Sequence, residues 1–322
     1  MTTTQDVLAT DRSVRRFERI DELLPDVDNP TPLVRARSTN ALELYLKLEW
    51  LNPFGSIKDR TAAYLLAGLD EADGPDRDEL VEPSSGNTAI ALAALSALRG
   101  TKLTVTIPDG VPEEKKILLR MLGAEVWSTP DDLCPVDHPK DGAIALARSL
   151  ADSEGGTRFA MPNQYENPDN VRAHYETTGP EIWRQTEGLV RVFLAGFGTC
   201  GTITGVGRFL KERDPEIRVV AIEPQPGHRL PGLRSFAEAS EPGILDRSVV
   251  DEVIRVDDEP AYAETKRIWR QEGLMVGPST GAIVHAANQL SDRGIAVGVS
   301  PDSGLKYTSY FAELLGDEGL PG

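Results

Sequence analysis

Short apolar runs alternate with amphipathic stretches along most of the chain. "KLTVTIP" and "IRVVAIE" have the length and the aliphatic, β-branched content of buried strands. "NTAIALAALSALRG" has the apolar spacing of a helix, and Gly100 at its end, like Gly123 further on, suits a left-handed cap. Parallel sheets covered by helices explain such β/α alternation, so the pattern predicts an α/β fold.

The alternation comes in two series, separated by "TPDDLCPVDHPKDG", a segment without a strand-like or helix-like apolar pattern. We therefore expect two lobes, each with a mostly parallel, twisted sheet flanked by helices. Residues 41–155 are predicted to form the smaller lobe, and residues 1–40 with 156–322 the larger one. Ligands of such sheets bind beyond the carboxyl ends of the strands, so the cleft between the lobes is the expected site.

Composition and charge narrow the classes of partner. The 322 residues are 40% hydrophobic, enough for a large core, and no run approaches the roughly 18 apolar residues of a membrane span. The amino terminus carries charges where a signal peptide would be apolar, so we expect a cytoplasmic protein. A net charge of -17 disfavours nucleic acid and anionic membranes. Scattered carboxylates are typical of a salt-adapted surface, or of an ordinary acidic enzyme.

Neither the cysteines nor the histidines indicate a metal or a disulfide framework. Cys134 and Cys200 are too few for such a framework and are not arranged as C-x-x-C. The histidines lack ligand spacing such as H-x-x-x-H: His138, His174, His228 and His285. We therefore predict no metal site and no structural disulfide.

The segment "GFGTCG", Gly196–Gly201, has the glycine spacing of a dinucleotide-binding turn. Glu223 lies 22 residues beyond Gly201, where an acidic residue would hold the ribose of NAD. However, the hydroxyls of Thr199 and Thr202 at a helix start also suit a single phosphate monoester. A glycine turn without a ligand is the third interpretation.

The segment "NPFGSIKDRTA" places Lys58 in the first turn of a predicted helix, with Ser56 as a plausible N-cap and Asp59 three residues later. A lysine there opposes the helix dipole, so its position requires a reason. It either pairs on the surface with a carboxylate such as Asp59, or forms an imine with an aldehyde cofactor.

Two further turns carry small polar residues. "EPSSGNTAIALA" offers hydroxyls, an amide and backbone N–H groups to a substrate carboxylate, although Ser85 or Asn87 could simply cap the helix. Ser303 in "SPDSGLKYTSY" opens the last predicted helix and, by itself, is explained equally well as a cap.

Taken together and in this order, the four segments resemble the fold-type II pyridoxal-phosphate enzymes of the cysteine synthase and cystathionine β-synthase family. "TPLVRA", "NQYENPDNVRAHYETTGPEIW" and "GLMVGPSTGA" extend the resemblance over nearly the whole chain. The resemblance implies the two-lobed fold of the tryptophan synthase β-subunit, pyridoxal 5'-phosphate as cofactor, and a homodimer.

The resemblance also implies roles for individual residues. Lys58 would form the Schiff base and act as general base, Asn87 would contact the ring hydroxyl, and Ser303 would meet the pyridine nitrogen. Cys200 departs from relatives, many of which have glycine there. The remaining residues would bind the cofactor phosphate (Gly198, Thr199, Cys200, Gly201, Thr202) or the substrate carboxylate (Ser84, Ser85, Thr88, Gln164).

The expected reaction is a β-replacement in which a leaving group departs from the β-carbon of an amino acid and a thiol or sulfide adds there. Our leading hypothesis is L-cysteine synthesis from O-acetyl-L-serine, or O-phospho-L-serine, and sulfide. Arg234 or Arg229 in "HRLPGLRSF" could bind a donor phosphate, or could be a surface arginine. Cystathionine β-synthase and serine/threonine dehydratase are alternatives. An NAD-dependent dehydrogenase would need Glu223 and would leave Lys58 without a role.

Overall fold

The computed structural model describes residues 16–73, 79–84, 86–130, 142–153 and 158–315. The described residues form strands and helices in regular alternation, as the apolar pattern predicts. The strands are β1 Leu33–Arg35, β2 Leu42–Leu48, β3 Glu79–Pro83, β4 Lys102–Pro108, β5 Glu125–Thr129, β6 Phe159–Ala160, β7 Val190–Gly196, β8 Arg218–Pro224, β9 Glu252–Val256 and β10 Gly294–Ser300. The α-helices are α1 Lys58–Asp73, α2 Asn87–Arg99, α3 Glu113–Met121, α4 Ala143–Asp152, α5 Asp169–Ala173, α6 Gly179–Gln185, α7 Gly201–Lys211, α8 Asp258–Glu272, α9 Pro278–Ala287 and α10 Thr308–Leu315.

The larger sheet contains six strands in the order β1-β2-β10-β7-β8-β9. All its pairings are parallel except the one between β1 and β2. Helices cover both faces, and the strand side chains therefore alternate between two apolar clusters. Leu194 and Val220 belong to one cluster, whereas Phe193 and Val219 belong to the other. Burial on both faces explains why these strands read as continuous apolar runs.

The smaller sheet has four parallel strands in the order β5-β4-β3-β6. The sheets do not follow the lobe boundaries drawn at residues 41 and 155. Strand β2, residues 42–48, pairs with β10 in the larger sheet, and β6 at residues 159–160 joins the smaller one. An apolar run specifies a buried strand but not its pairing partner, so the partners of these two strands are known only from the structure.

Two helix ends form as the sequence predicts. Gly100 follows α2 with φ 72°, and Gly123 follows the end of α3 with φ 88°. Glycine adopts this left-handed backbone without steric cost. Within the part of the chain that the structure describes, no helix has both the length and the apolar character to cross a bilayer.

Candidate active site

A cavity of about 550 Å³ lies beyond the carboxyl ends of β3, β7 and β10. Four helices begin at this cavity, and a residue from the first turn of each lines it: Lys58 of α1, Thr88 of α2, Thr202 of α7 and Ser279 of α9. The first N–H groups of a helix have no partner within it and carry partial positive charge. Their convergence favours a ligand with anionic groups.

The charged side chains at the cavity are mainly cationic, in contrast to the acidic chain as a whole. Because like charges in a cleft focus its field, this lining attracts anions toward the site. The cationic residues that line it are Lys58, Lys115, Arg229 and Arg234, and the acidic ones are Glu238 and Asp302.

Lys58 occupies the first turn of α1 as predicted. The backbone N–H of Lys58 donates to Ser56 Oγ at 3.2 Å, which confirms Ser56 as a cap. Asp59 accepts from Phe54 N at 2.6 Å and from Ser56 Oγ at 3.3 Å, so its carboxylate is turned into the helix start. Burial lowers the pKa of Lys58, although Asp302 partly opposes this shift. A buried amine with a lowered pKa is suited to forming an imine.

The glycine segment forms a narrow turn between β7 and α7. A Cβ atom on Gly198 would lie 2.8 Å from the Gly232 carbonyl oxygen, and one on Gly201 would lie 2.1 Å from Asn170 Oδ1. Cys200 precedes α7 with φ 68°, a left-handed conformation that is uncommon for a residue with a side chain. The backbone therefore packs closely at this turn and presents its amides at the cavity, as a phosphate-binding loop requires.

The two threonines of this turn are held by residues that the sequence analysis did not single out. Asn170 Nδ2 donates to Thr199 Oγ1 at 2.9 Å, and Thr202 Oγ1 lies 3.2 Å from His174 Nε2. Burial lowers the pKa of His174 to about 3, so the imidazole is neutral and orients the hydroxyl without adding charge. Both residues belong to "NPDNVRAHY", part of a segment that carries the family resemblance, but no role was predicted for either of them.

Glu223 does not face the glycine turn. Its Oε1 accepts from Phe236 N at 2.8 Å, and its Oε2 pairs with Arg255 Nε at 3.2 Å. The carboxylate, which lies at the end of β8, therefore has partners within the larger lobe. The structure gives the dinucleotide interpretation no ribose-binding acid.

The turn between β3 and α2 contacts Gln164, which follows β6, the neighbour of β3 in the smaller sheet. Thr88 Oγ1 donates to Gln164 Oε1 at 2.5 Å, and Gln164 N donates to Glu82 Oε1 at 3.2 Å. Ser84 also lines the cavity, whereas Ser85 lies outside the described residues. The structure thus brings Ser84, Thr88 and Gln164 together, as expected.

Asn87 is the first residue of α2, and its side chain does not cap the helix. The helix N-cap is Gly86, and the Asn87 amide instead contacts Asp302 and Lys306 from the segment after β10. The contacts with Asp302 and Lys306 were not predicted, because both residues are distant from Asn87 in the sequence.

Ser303 departs from the expectation that it meets a ring nitrogen. Its hydroxyl donates to the Met275 carbonyl at 3.0 Å and accepts from Leu305 N at 3.2 Å. It therefore caps the short helix Gly304–Tyr307, and it is not among the described residues that line the cavity. Ser279, in the first turn of α9, lines the cavity instead. Ser279 belongs to the segment "GLMVGPSTGA", but no role was predicted for this serine from the sequence.

Arg234 lies at the cavity beside Tyr165. Its guanidinium carbon is 4.4 Å from the centre of the tyrosine ring, and Nη2 donates to the Tyr165 hydroxyl at 3.3 Å. The backbone N–H of Arg234 donates to the Phe197 carbonyl at 2.8 Å, which fixes this segment to the glycine turn. Arg229 also lines the cavity, so both arginines of the sequence hypothesis are at the site.

The described residues contain no group of three or more His, Cys, Asp or Glu side chains that could hold a metal. Cys200 is a buried free thiol, and burial raises its pKa to about 12, so it stays protonated and unreactive. Cys134 and His138 lie outside the described residues.

Comparisons with known proteins agree with this geometry. The chain is 38% identical over 286 residues to cysteine synthase B of Salmonella typhimurium, covering 87% of this chain and 92% of that protein. It is 38% identical over 298 residues to a cysteine synthase of Staphylococcus aureus, covering 87% and 93%. A crystal structure of O-ureido-L-serine synthase superimposes with a TM-score of 0.82 and 33% identity, covering 95% of this chain and 98% of that one.

The family model described as "Pyridoxal-phosphate dependent enzyme" matches residues 24–300. The cavity has the features that pyridoxal phosphate requires, namely a buried lysine amine and a close-packed glycine turn at a helix start. The cofactor is therefore pyridoxal phosphate, and the resemblance seen in the sequence is confirmed. The chain belongs to the family of pyridoxal-phosphate dependent enzymes that contains the cysteine synthases.

Proposed function

We propose that this protein is a cysteine synthase, which replaces the β-substituent of O-acetyl-L-serine or O-phospho-L-serine with sulfide. The observation that carries the proposal is the position of Lys58, a buried amine at a cavity where four helices begin and anions are favoured. The cysteine synthases among the relatives support the same reaction class.

Each part of the cofactor has a counterpart at the cavity. When bound, pyridoxal phosphate supplies an electron-withdrawing ring that makes the α-proton acidic. We assign its aldehyde to Lys58, its ring hydroxyl to Asn87 and its ring nitrogen to Ser279 rather than Ser303. The phosphate is assigned to the turn of Gly198, Thr199, Cys200, Gly201 and Thr202.

The amine of Lys58 then serves as the base. With the cofactor and an amino-acid substrate bound, Lys58 Nζ would remove the α-proton of the substrate and later return it to the same carbon. The substrate carboxylate is assigned to the turn of Ser84, Ser85 and Thr88, with Gln164 opposite. The hydrogen bond between Thr88 and Gln164 holds these two side chains together.

Arg234 selects the donor in this proposal. Its guanidinium, stacked on Tyr165 at the cavity, would place a positive charge near an anionic leaving group such as phosphate. The acetyl group of O-acetylserine is neutral and gains less from this charge.

The acceptor is the less constrained half of the reaction. The O-ureido-L-serine synthase fold covers 95% of this chain, so an acceptor other than sulfide fits the same scaffold. Cystathionine β-synthase, with a homocysteine acceptor, and serine/threonine dehydratase, with no acceptor, remain the alternatives.

The test is a matrix of donors and acceptors. O-acetylserine, O-phosphoserine and serine are each mixed with the cofactor-loaded protein at high salt while the visible spectrum is recorded. Sulfide, homocysteine or hydroxyurea follows; attack by hydroxyurea through its oxygen would give O-ureido-L-serine. We expect a donor-dependent band that disappears on addition of sulfide, with cysteine as product. Pyruvate formed from serine without an acceptor would identify a dehydratase, and a response to hydroxyurea alone would overturn the cysteine synthase proposal.

The role of Arg234 has its own prediction. Arg234→Met should lower kcat/KM for O-phosphoserine at least tenfold and for O-acetylserine less than threefold, because one charge-assisted contact is worth about 1.5–3 kcal/mol. Arg35→Met, at a side chain that is 66% exposed, is the control. Equal losses with both donors would show that Arg234 supports the cleft without selecting the donor.

A further inference from the structure

The amide of Asn87 is held between an acid and a base that follow β10 in the sequence. Its Nδ2 donates to Asp302 Oδ2 at 2.7 Å, and its Oδ1 accepts from Lys306 Nζ at 2.8 Å. A lysine ammonium only donates, so it must face the amide oxygen, which leaves the amide nitrogen toward Asp302. The two neighbours therefore fix which end of the amide points where.

Asp302 is itself immobilised. The Tyr307 hydroxyl donates to Asp302 Oδ2 at 2.5 Å, and burial together with Asp302 raises the pKa of Tyr307 well above its ordinary value. Asp302 O accepts from Gly277 N at 3.0 Å, and a Cβ on Gly277 would lie 2.2 Å from Asp302 Oδ1. The carboxylate has little room to move, and it is 3% exposed.

Asp302 is also paired with the segment that carries Lys58. Ser56 and Asp302 form an antiparallel bridge, and Ile57 N donates to the Pro301 carbonyl at 2.8 Å. Asp302 therefore contacts both Asn87 and the segment that precedes α1, and it fixes the position of the Asn87 amide relative to the start of α1.

An amide nitrogen has two hydrogens; Asp302 accepts one of them, and the Asn87 side chain also interacts with the Tyr307 hydroxyl. We propose that Asp302 and Lys306 are positioning residues that keep the second Asn87 N–H directed at an oxygen acceptor of the cofactor ring. This inference depends on the proposed contact between Asn87 and the ring hydroxyl. Without the pair, the amide could rotate and present its oxygen, which would repel an oxyanion on the ring.

A donor at the ring oxygen favours its ionised form over the neutral hydroxyl. The two forms differ in conjugation, so their balance is visible in the absorption spectrum of the bound cofactor. This balance and the dissociation constant of the cofactor report on Asn87 without requiring turnover.

The test is a double-mutant cycle between Asp302→Leu and Asn87→Ala, with the dissociation constant of pyridoxal phosphate measured by titration of the cofactor-free protein. We expect Asp302→Leu to weaken binding about tenfold in the native background and less than twofold with Asn87→Ala, as for loss of one hydrogen bond. The ratio of the absorption bands should change only in the native background. Equal effects in both backgrounds would overturn the proposal.

Lys306→Met, combined with Asn87→Ala, provides a second cycle. The Lys306 side chain is only partly buried, and the hydrogen bond between Tyr307 and Asp302 does not involve it. Lys102→Met, at a side chain that is 78% exposed, is the matched control and should change neither quantity. If Asn87→Ala alone leaves binding and spectrum unchanged, the premise is wrong and the proposal falls with it. Cysteine formation by the native protein is assayed separately, so a failure of the proposed reaction is distinguished from a failure of this inference.

Discussion

Lys58 brings a positive charge into the first turn of α1, where the helix dipole disfavours it by about 0.3–1 kcal/mol. Burial adds to this cost and lowers the pKa of its amine. Nothing in the local sequence compensates, because Asp59 turns toward Phe54 and Ser56. The proposed imine with an aldehyde cofactor would give a lysine at this unfavourable position a chemical function.

Lys58→Ala should abolish turnover, with kcat lowered at least about a thousandfold, because both the covalent attachment and the base are lost. The visible band of attached cofactor should disappear as well, as recorded by absorption spectroscopy. Lys102→Ala at an exposed position is the control. Turnover within tenfold of the native rate would exclude the assigned role.

Cys200 departs from the glycine expected there from the family resemblance, and its backbone is left-handed with φ 68°. A side chain there costs about 1 kcal/mol, yet the buried thiol contributes apolar contacts of similar size. Cys200→Gly should therefore change the free energy of unfolding by less than about 1 kcal/mol, whereas Cys200→Val should lower it by about 2 kcal/mol or more because of its branched Cβ. Denaturant unfolding measures both, and a Val variant as stable as the Gly variant would contradict this account.

At the scale of elements, the cavity is lined by the first turns of α1, α2, α7 and α9. Helices α2 and α7 each follow a parallel strand of a different sheet, so their first turns meet at the same cleft. The turn before α7 is closely packed, because a Cβ on Gly198 would meet the Gly232 carbonyl oxygen and a Cβ on Gly201 would meet Asn170. The regular elements could be predicted from their apolar pattern, but the contacts between their ends could not, since those residues lie far apart in sequence.

Gly198→Ala should weaken binding of pyridoxal phosphate about tenfold to a hundredfold. The added Cβ would meet a backbone oxygen at 2.8 Å, so the loop must shift rather than a side chain rotate. Equilibrium titration of the cofactor-free protein measures the loss. Gly243→Ala, where the nearest atom to a Cβ is 3.8 Å away, should have no effect; an equal loss in both variants would point to a general change in stability.

At the scale of the whole molecule, a buried ion network joins α1 to the larger sheet. Lys47 Nζ pairs with Glu181 at 2.6 Å, while Arg60 contacts Glu49 at 2.8 Å and Glu181 at 2.5 Å. All four side chains are at most 1% exposed. Arg60 lies two residues after Lys58, so the network anchors the helix that carries the reactive amine.

Glu181→Gln should lower the free energy of unfolding by about 3–5 kcal/mol, because Lys47 and Arg60 would keep buried charges without full compensation. Glu43→Gln is the matched control, since the Arg35–Glu43 pair is exposed and its atoms are 3.8 Å apart, where such pairs contribute about 0–1 kcal/mol. Chemical denaturation measures both, and a loss below about 1 kcal/mol for Glu181→Gln would contradict the importance of the network.

The homodimer, the cytoplasmic location and the salt-adapted surface stay predictions at this scale. Light scattering tests the first, and the dependence of unfolding on salt concentration tests the last. A monomer at micromolar concentration would contradict the expectation taken from the family.

The sequence by itself determined the α/β class, most element positions, the family and the cofactor, because periodicity, turn chemistry and short contiguous motifs are local properties. Lys58 and the glycine turn were predicted as site residues for the same reason, and their roles stay predictions. Tertiary structure alone decided the strand partners, the turning of Glu223 and Ser303 away from the cavity, and the pairing of Asn87 with Asp302 and Lys306. These depend on which distant segments pack together and on which buried polar groups find partners, and no spacing along the chain encodes that.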